Sequence, residues 1–311
     1  MPHVPSPQLL AAGPRWQQGV PCAIAVGNFD GVHLGHARIV EALRAAGARR
    51  GLPTAVFTFD PHPARILRPS AAPPALTTPA RRAGLLRGLG VDAVLLWKVD
   101  DAALALEPEA FYGDVLRRAV GAEAIVEGPD FRFGAGRRGD IALLRALAEA
   151  DGVEVAVVEP VSAGGEPVSS SRIRTLLSSG DVAGAAALLT APHSVGGVVV
   201  HGRARGRTLG FPTANLDGIA TLVPRDGVYA GRGRVGGATF PAAVHVGVPV
   251  SFGATEPTVE VHLVGYSGDC YGLGLDVDFL VRLRDTRRFA SVDDLKAQLA
   301  SDVARATAAA G

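Results

Sequence analysis

Over its first 160 residues the chain alternates between short apolar runs and longer stretches of helical periodicity. The runs at 22–27, 54–59, 93–97, 123–127 and 153–158 are continuous rather than alternating, as expected of strands buried on both faces. Between them the pattern predicts helices over 37–50, 79–89, 108–120 and 140–150. Thr78 followed by Pro79 is a helix-start signal, and Asp140 can cap the fourth helix. Strand–helix alternation predicts a parallel sheet covered by helices, with any ligand at the carboxyl ends of the strands.

The pattern changes at 169–190, which reads as a connector of two short helices broken at Ser179-Gly180. From about residue 195 it becomes β. Gly236-Gly237 between two strand-like stretches is a hairpin signal. TVEVHL places Val259, Val261 and Leu263 on one face and Glu260 and His262 on the other. Residues 273–284 line up Leu275, Val277, Phe279, Val281 and Leu283 in the same way. A small antiparallel barrel is expected, followed by a helix that Ser291 and Asp294 can cap, with Val292, Leu295, Leu299 and Val303 as its apolar stripe. The expected domains are 1–190 and 191–311.

Composition narrows the setting. At 311 residues and 48% apolar content the chain can build two cores. No run approaches the roughly 20 apolar residues of a membrane helix, and the N-terminus lacks the pattern of a secretory signal. Cys22 and Cys270 fall in different expected domains, so no disulfide framework is expected and the cytoplasm is the default compartment. Residues 1–190 hold 19 basic and 19 acidic side chains and 191–311 hold 12 and 11. That balance argues against a nucleic-acid partner. Weak self-association is allowed by the sequence but not specified.

The most specific string is GNFDGVHLGH at 27–36, where a strand hands over to a helix. Such a junction offers free N–H groups and a partial positive charge to an anion. Gly27, Gly31 and Gly35 allow close backbone approach, and His33 and His36 stand one helical turn apart. Two imidazoles there can donate to phosphate oxygens as charge builds during displacement. A structural histidine pair or half of a metal site would leave the same local trace.

The HxGH signature resembles the nucleotidyltransferase superfamily, and GNFDGVH resembles the adenylyltransferase half of bacterial bifunctional riboflavin kinase/FAD synthetases. FTFDPHP (57–63), GPDFRFG (128–134) and SSSRIR (169–174) fit the same family in order. The resemblance implies an α/β, Rossmann-like nucleotidyltransferase domain that transfers AMP from ATP to FMN. On this reading Gly27, Asn28, Phe29, Gly35, Ser170, Ser171, Arg172 and Arg174 bind nucleotide, His33 and His36 stabilise the α-phosphate, and the arginines hold the departing pyrophosphate. Asp60, His62, Asp130, Phe131 and Phe133 would meet the flavin. Many members carry Asn where this chain has Asp130. FMN's own phosphate is the nucleophile, so no base and no covalent intermediate are required.

A second site follows the first β-run. HGRARGRTLGFPTANL (201–216) sets Arg203, Arg205 and Arg207 among Gly202, Gly206 and Gly210, a basic loop suited to polyphosphate. It is not a Walker A loop. Taken alone it also reads as a solvated turn. Thr213 and Asn215 share a face if extended, and their oxygens suit Mg²⁺. PTAN, GVYA (227–230), TVEVHL (258–263), DCYG (269–272) and RFASVDDLKAQLASD (288–302) resemble the riboflavin kinase half of the same family. There Gly202, Arg207, Gly210 and Thr213 would bind nucleotide, Thr213 and Asn215 the metal, and Glu260 would act as base toward riboflavin's 5′-hydroxyl. One stretch departs from the family's Asn-x-Gly followed by Pro-Thr-Phe: here His245, Val250 and Ser251 take those places, with Phe252 and Gly253 retained.

The expectation is an enzyme acting on riboflavin, FMN and ATP with Mg²⁺. Two other readings stay open on the sequence: a nucleotidyltransferase with another acceptor and a merely ligand-binding β-domain, or a flavin-binding regulator with an impaired kinase site.

Overall fold

The computed structural model describes residues 7–17, 19–202, 205–247 and 258–311. Two compact units result: residues up to Pro73 with Thr77–Ser169, and Pro74–Leu76 with Ser170–Gly311.

The first unit is built on a six-stranded sheet of order β1-β4-β3-β2-β5-β6. Its strands are β1 (Gln8–Ala12), β2 (Cys22–Val26), β3 (Thr54–Asp60), β4 (Ala93–Lys98), β5 (Ala122–Glu127) and β6 (Glu154–Val157). β2 to β6 pair in parallel; β1, which the pattern did not predict, runs antiparallel along β4 and covers that edge. Strand alternation sorts the core into two layers. Cys22, Ile24 and Val26 pack with Phe57, Trp97 and Phe111 on one face, while Ala23, Ala25 and Val56 meet Val40, Leu43 and Leu86 on the other. Helices α1 (Leu34–Arg50) and α2 (Pro79–Gly88) lie on the second face. α3 (108–120, with Phe111–Val120 wound as π-helix) and α4 (Ile141–Ala150) lie on the first. Thr78 accepts the Arg81 N–H at 3.2 Å and Asp140 the Leu143 N–H at 2.9 Å, the two expected caps. The chain leaves β2 in one direction through β3 and β4 and in the other through β5 and β6. The crevice of such a sheet opens at the carboxyl ends of β2 and β5. A small hairpin of β7 (Ser162–Ala163) and β8 (Glu166–Pro167) closes the unit.

In the second unit α5 (Ser170–Ser179) and α6 (Val182–Leu188) bury Ile173, Leu177, Val182, Ala185 and Leu188. Gly180 turns between them with φ 88°. These connector helices pack within this unit: α6 lies on β14, and the Arg225 N–H donates to the Leu177 carbonyl at 3.1 Å. The body is a closed antiparallel barrel of order β10-β13-β12-β11-β14-β9. Its strands are β9 (Ser194–Val200), β10 (Ala214–Asp217), β11 (Gly227–Val235), β12 (Ala238–Gly247), β13 (Thr258–Leu263) and β14 (Gly274–Arg284). Gly236 and Gly237, at φ 57° and 81°, make the predicted hairpin turn. Val259, Val261, Leu275, Val277 and Phe279 point inward as expected. Val281 and Leu283 are only partly buried, because two register shifts against β11 interrupt the alternation. Helix α7 (Val292–Ala310) packs on β11 and β12; Ser291 caps it through the Asp294 N–H at 3.1 Å. Val292, counted with its apolar stripe, is 58% exposed because it is the first helical residue, ahead of the contact face.

Candidate active sites

Sheet topology gathers three of the predicted strings at one edge, since GNFDGVH, FTFDPHP and GPDFRFG follow the adjacent strands β2, β3 and β5. The helix expected from residue 37 begins at Leu34, with His33 as its N-cap. His33 Nδ1 accepts the His36 N–H and His36 Nδ1 accepts the His33 N–H, each at 3.3 Å. The rings stack with centroids 3.6 Å apart. With Nδ1 an acceptor in both, the proton of each neutral ring is on Nε2. Burial pushes His33 down to about 4, opposed by Asp30; burial, then His33 and Arg82, push His36 well below its usual range. Both are neutral near pH 7, and each offers one Nε2–H donor.

The turn that presents them is shaped by its surroundings. Phe29 and Val32 adopt φ 47° and Gly31 φ 86°. Buried Asp30 accepts the Thr77 N–H and hydroxyl, each at 2.9 Å, and the Thr77 hydroxyl accepts the Gly31 N–H at 3.2 Å. Arg82, also buried, lies 3.8 Å from Asp30 and donates to the Thr58 hydroxyl at 2.9 Å. This places a cation behind His36. The Asp30–Thr77–Arg82 cluster spans five decades of sequence and leaves no local signal. The Phe29 ring is 2% exposed, in the core, 4.9 Å from His36, where it supports the turn. Gly27 and Gly35 lie against the rings of Phe29 and His33, where a Cβ would stand 3.2 and 3.1 Å away. The buried Asn28 Oδ1 has no hydrogen-bond partner among the described residues.

At the neighbouring strand ends, Asp60 and Asp130 are exposed, and His62 Nδ1 accepts the Ala64 N–H at 3.1 Å. Phe133 lies deeper than Phe131. It is 5% exposed, with Phe131 stacked on it at 5.5 Å and Phe111 at 6.0 Å, so it is the floor beneath Phe131. Glu127, hidden in an apolar run, was not foreseen. Its side chain is buried at the end of β5 and accepts the Val26 N–H at 2.6 Å; burial holds its carboxyl well above the usual range. Ser170, Ser171, Arg172 and Arg174 open α5 in the second unit, where Arg174 Nε donates to the Pro74 carbonyl at 2.8 Å.

The barrel carries a cavity of about 450 Å³ on its outer face, lined by Thr213, His245, Glu260, His262, Phe289 and Leu299 among others. Asn215 is directly opposite Glu260 in the ladder, so the predicted metal pair and base share one face. Gly202 packs against the Asn215 amide, its absent Cβ lying 2.1 Å from that nitrogen. Gly210 turns with φ 89°. Arg203 and the side chains of Arg205 and Arg207 lie outside the described residues, as do Val250, Ser251, Phe252 and Gly253. The far wall is α7, where buried Asp302 accepts from Arg284 Nε at 3.0 Å and from its terminal nitrogen at 2.8 Å. That pair, 18 positions apart, was also not foreseen. Among the described residues no group of three His, Cys, Asp or Glu is arranged to cage a metal, and no helix is long and apolar enough to cross a membrane.

Comparison with known proteins agrees with this division. The family model for FAD synthetase matches residues 16–172 and that for riboflavin kinase residues 189–310. The chain is 36% identical to the bifunctional riboflavin kinase/FMN adenylyltransferase of Escherichia coli K12 over 90% of each chain. It is 36% identical to that of Pseudomonas fluorescens over 93% of each, and 32% identical to that of Bacillus subtilis over 90% of this chain and 89% of the relative. A crystal structure described as a macrolide-efflux protein from Streptococcus pneumoniae superposes with TM-score 0.82 at 33% identity, covering 93% of this chain and 95% of the other. The chain belongs to the bifunctional riboflavin kinase/FMN adenylyltransferase family, and its two halves use ATP to phosphorylate riboflavin and to adenylylate FMN to FAD.

Proposed function

We propose that residues 1–190 carry adenylyl transfer and 191–311 carry riboflavin phosphorylation, with named residues in the following roles. The observation that carries the first assignment is the reciprocal bonding of His33 and His36, which makes Nε2–H the donor of both rings. Two neutral donors backed by Arg82 suit the α-phosphate as it gains negative charge under attack by the FMN phosphate. Gly27, Asn28 and Gly35 would accommodate the nucleotide, Asn28 through an acceptor that is buried and unsatisfied among the described residues. Ser170, Ser171, Arg172 and Arg174 are retained as ligands of the leaving pyrophosphate, and Asp60, His62, Asp130 and Phe131 as flavin contacts.

In the barrel, Glu260 would take the proton of the 5′-hydroxyl as that oxygen bonds to the γ-phosphorus and ADP departs. Thr213 and Asn215 offer hard oxygen donors beside it. With no protein cage among the described residues, Mg²⁺ would be held by these two, triphosphate oxygens and water, and would neutralise phosphate charge. The near-balanced charge supports small-molecule substrates, and the free thiols of Cys22 and Cys270 support a cytoplasmic setting.

The test is a crossed pair of variants given riboflavin, Mg²⁺ and ATP, with flavins separated by chromatography. His36→Ala should accumulate FMN without FAD. Glu260→Gln should convert supplied FMN to FAD but phosphorylate riboflavin at least about a hundredfold more slowly. Loss of both steps in either variant, or neither, removes the assignment.

A further inference from the structure

His245 on the cavity of the barrel is an ionisable side chain that the phosphorylation reading leaves without a task. His245 on β12 is directly opposite Glu260 on β13, and Glu260 is directly opposite Asn215 on β10. The three form a row across adjacent strands with the carboxylate in the middle. His245 and Glu260 both line the cavity. Opposed residues in an antiparallel ladder have Cβ atoms about 4.5–5.5 Å apart, within reach of an imidazole–carboxylate hydrogen bond. The imidazole lies along its own strand over Gly247, with Cε1 and Nε2 3.0 and 3.1 Å from where a Cβ would stand. Rotation about its side-chain torsions would turn it from that resting place across to Glu260.

Among the described residues, the other charged and imidazole side chains that line the cavity with this pair are engaged elsewhere. Arg284 is forked onto Asp302, which also accepts from Gln298 at 2.8 Å; Arg287 donates to the Gln298 amide oxygen at 2.5 Å; His262 Nδ1 is 2.8 Å from the Pro212 carbonyl. A carboxylate base must aim one oxygen at the hydroxyl it deprotonates, and a donor on the second oxygen fixes that aim.

We propose that His245 is a positioning residue of the phosphorylation step, donating a ring N–H to the Glu260 oxygen turned away from the riboflavin 5′-hydroxyl. The hydroxyl proton passes to Glu260, the oxygen–γ-phosphorus bond forms as the bond to ADP breaks, and His245 keeps its own proton throughout. This rests on Glu260 being the base.

The experiment is steady-state kinetics of riboflavin phosphorylation by the full chain. His245→Val, which keeps a strand-forming residue but removes the donor, should lower kcat roughly tenfold with KM for riboflavin and ATP little changed. His245→Gln, whose amide N–H reaches as far as the imidazole Nε2, should restore most of kcat. In a Glu260→Gln background the His245→Val change should cost nothing further. An undiminished kcat in His245→Val, a loss that His245→Gln does not recover, or an additive loss in the double variant would overturn the proposal. Full phosphorylation by Glu260→Gln alone would instead remove the underlying assignment.

Discussion

His33 and His36 each accept the other's backbone N–H at 3.3 Å, and their rings stack at 3.6 Å. The same two bonds start a helix and fix the tautomer of two imidazoles. His36→Ala is expected to reduce FMN adenylylation by roughly two to three orders of magnitude, the usual loss for a transition-state donor. His36→Gln, whose amide N–H stands in for Nε2–H, should retain clearly more activity than His36→Asn, whose amide matches Nδ1. Single-turnover FAD formation measures all three; equal rates for Gln and Asn would remove the tautomer argument.

The low His33 value has a consequence for stability. Burial holds it at about 4 in the folded protein against an ordinary value of 6.5. A neutral buried ring favours the folded state fully above 6.5, and that contribution is lost as pH falls toward 4, by at most about 1.4 kcal/mol per pH unit. His36 shifts the same way. Both tryptophans, Trp16 and Trp97, are in the first unit, so fluorescence reports that unit alone. Its urea midpoint is expected to fall between pH 7 and pH 5, and to fall less in His33→Asn. A midpoint independent of pH across that interval would count against burial of these rings.

Two glycines in helices should respond oppositely to alanine. A Cβ on Gly35 would stand 3.1 Å from His33 Cε1 and Nδ1, so the ring must shift. Gly84 on α2 has nothing within 4 Å of that position. Gly84→Ala should raise stability by about 0.5–1 kcal/mol with both activities intact. Gly35→Ala should lower adenylylation at least about tenfold while phosphorylation is unchanged. Unaltered adenylylation in Gly35→Ala would show that the ring's placement is not critical.

Asp302 is 1% exposed and holds the Arg284 guanidinium by two of its nitrogens. Asp302→Ala strands that cation against the cavity wall and is expected to cost about 3 kcal/mol. Calorimetry should show the lost stability as a lower transition temperature, with phosphorylation declining in parallel. Replacing both partners by apolar residues should be milder than removing the aspartate alone.

Much of this was readable along the chain because the governing interactions are local. Thr78, Asp140 and Ser291 announce helix starts by bonding three residues ahead. Gly236-Gly237 announces a hairpin because both positions take positive φ. Alternation along TVEVHL placed Glu260 outside and Val259 and Val261 inside, and the ladder then set Asn215 beside Glu260. What the sequence hid depends on distant partners. β1 has neither alternation nor a long apolar run, and becomes a strand by pairing with β4 some 84 positions later in the chain. Asp30 finds Thr77 and Arg82 only after the sheet and α2 assemble. Glu127 ends an apolar run, and nothing nearby tells that its carboxyl turns inward to the Val26 N–H. Phe131 and Phe133 look alike in the sequence, yet one ring is half-buried and the other serves as its support.

Every strand of the barrel has a neighbour on both sides, and β13 shows how the closed ring divides labour. Its cohesion runs through Val259, Val261 and Leu263, whereas Glu260 and His262 occupy the intervening places. Substitutions at those intervening places can alter turnover or substrate preference while the scaffold stands, so this half of the enzyme is free to diversify one residue in two.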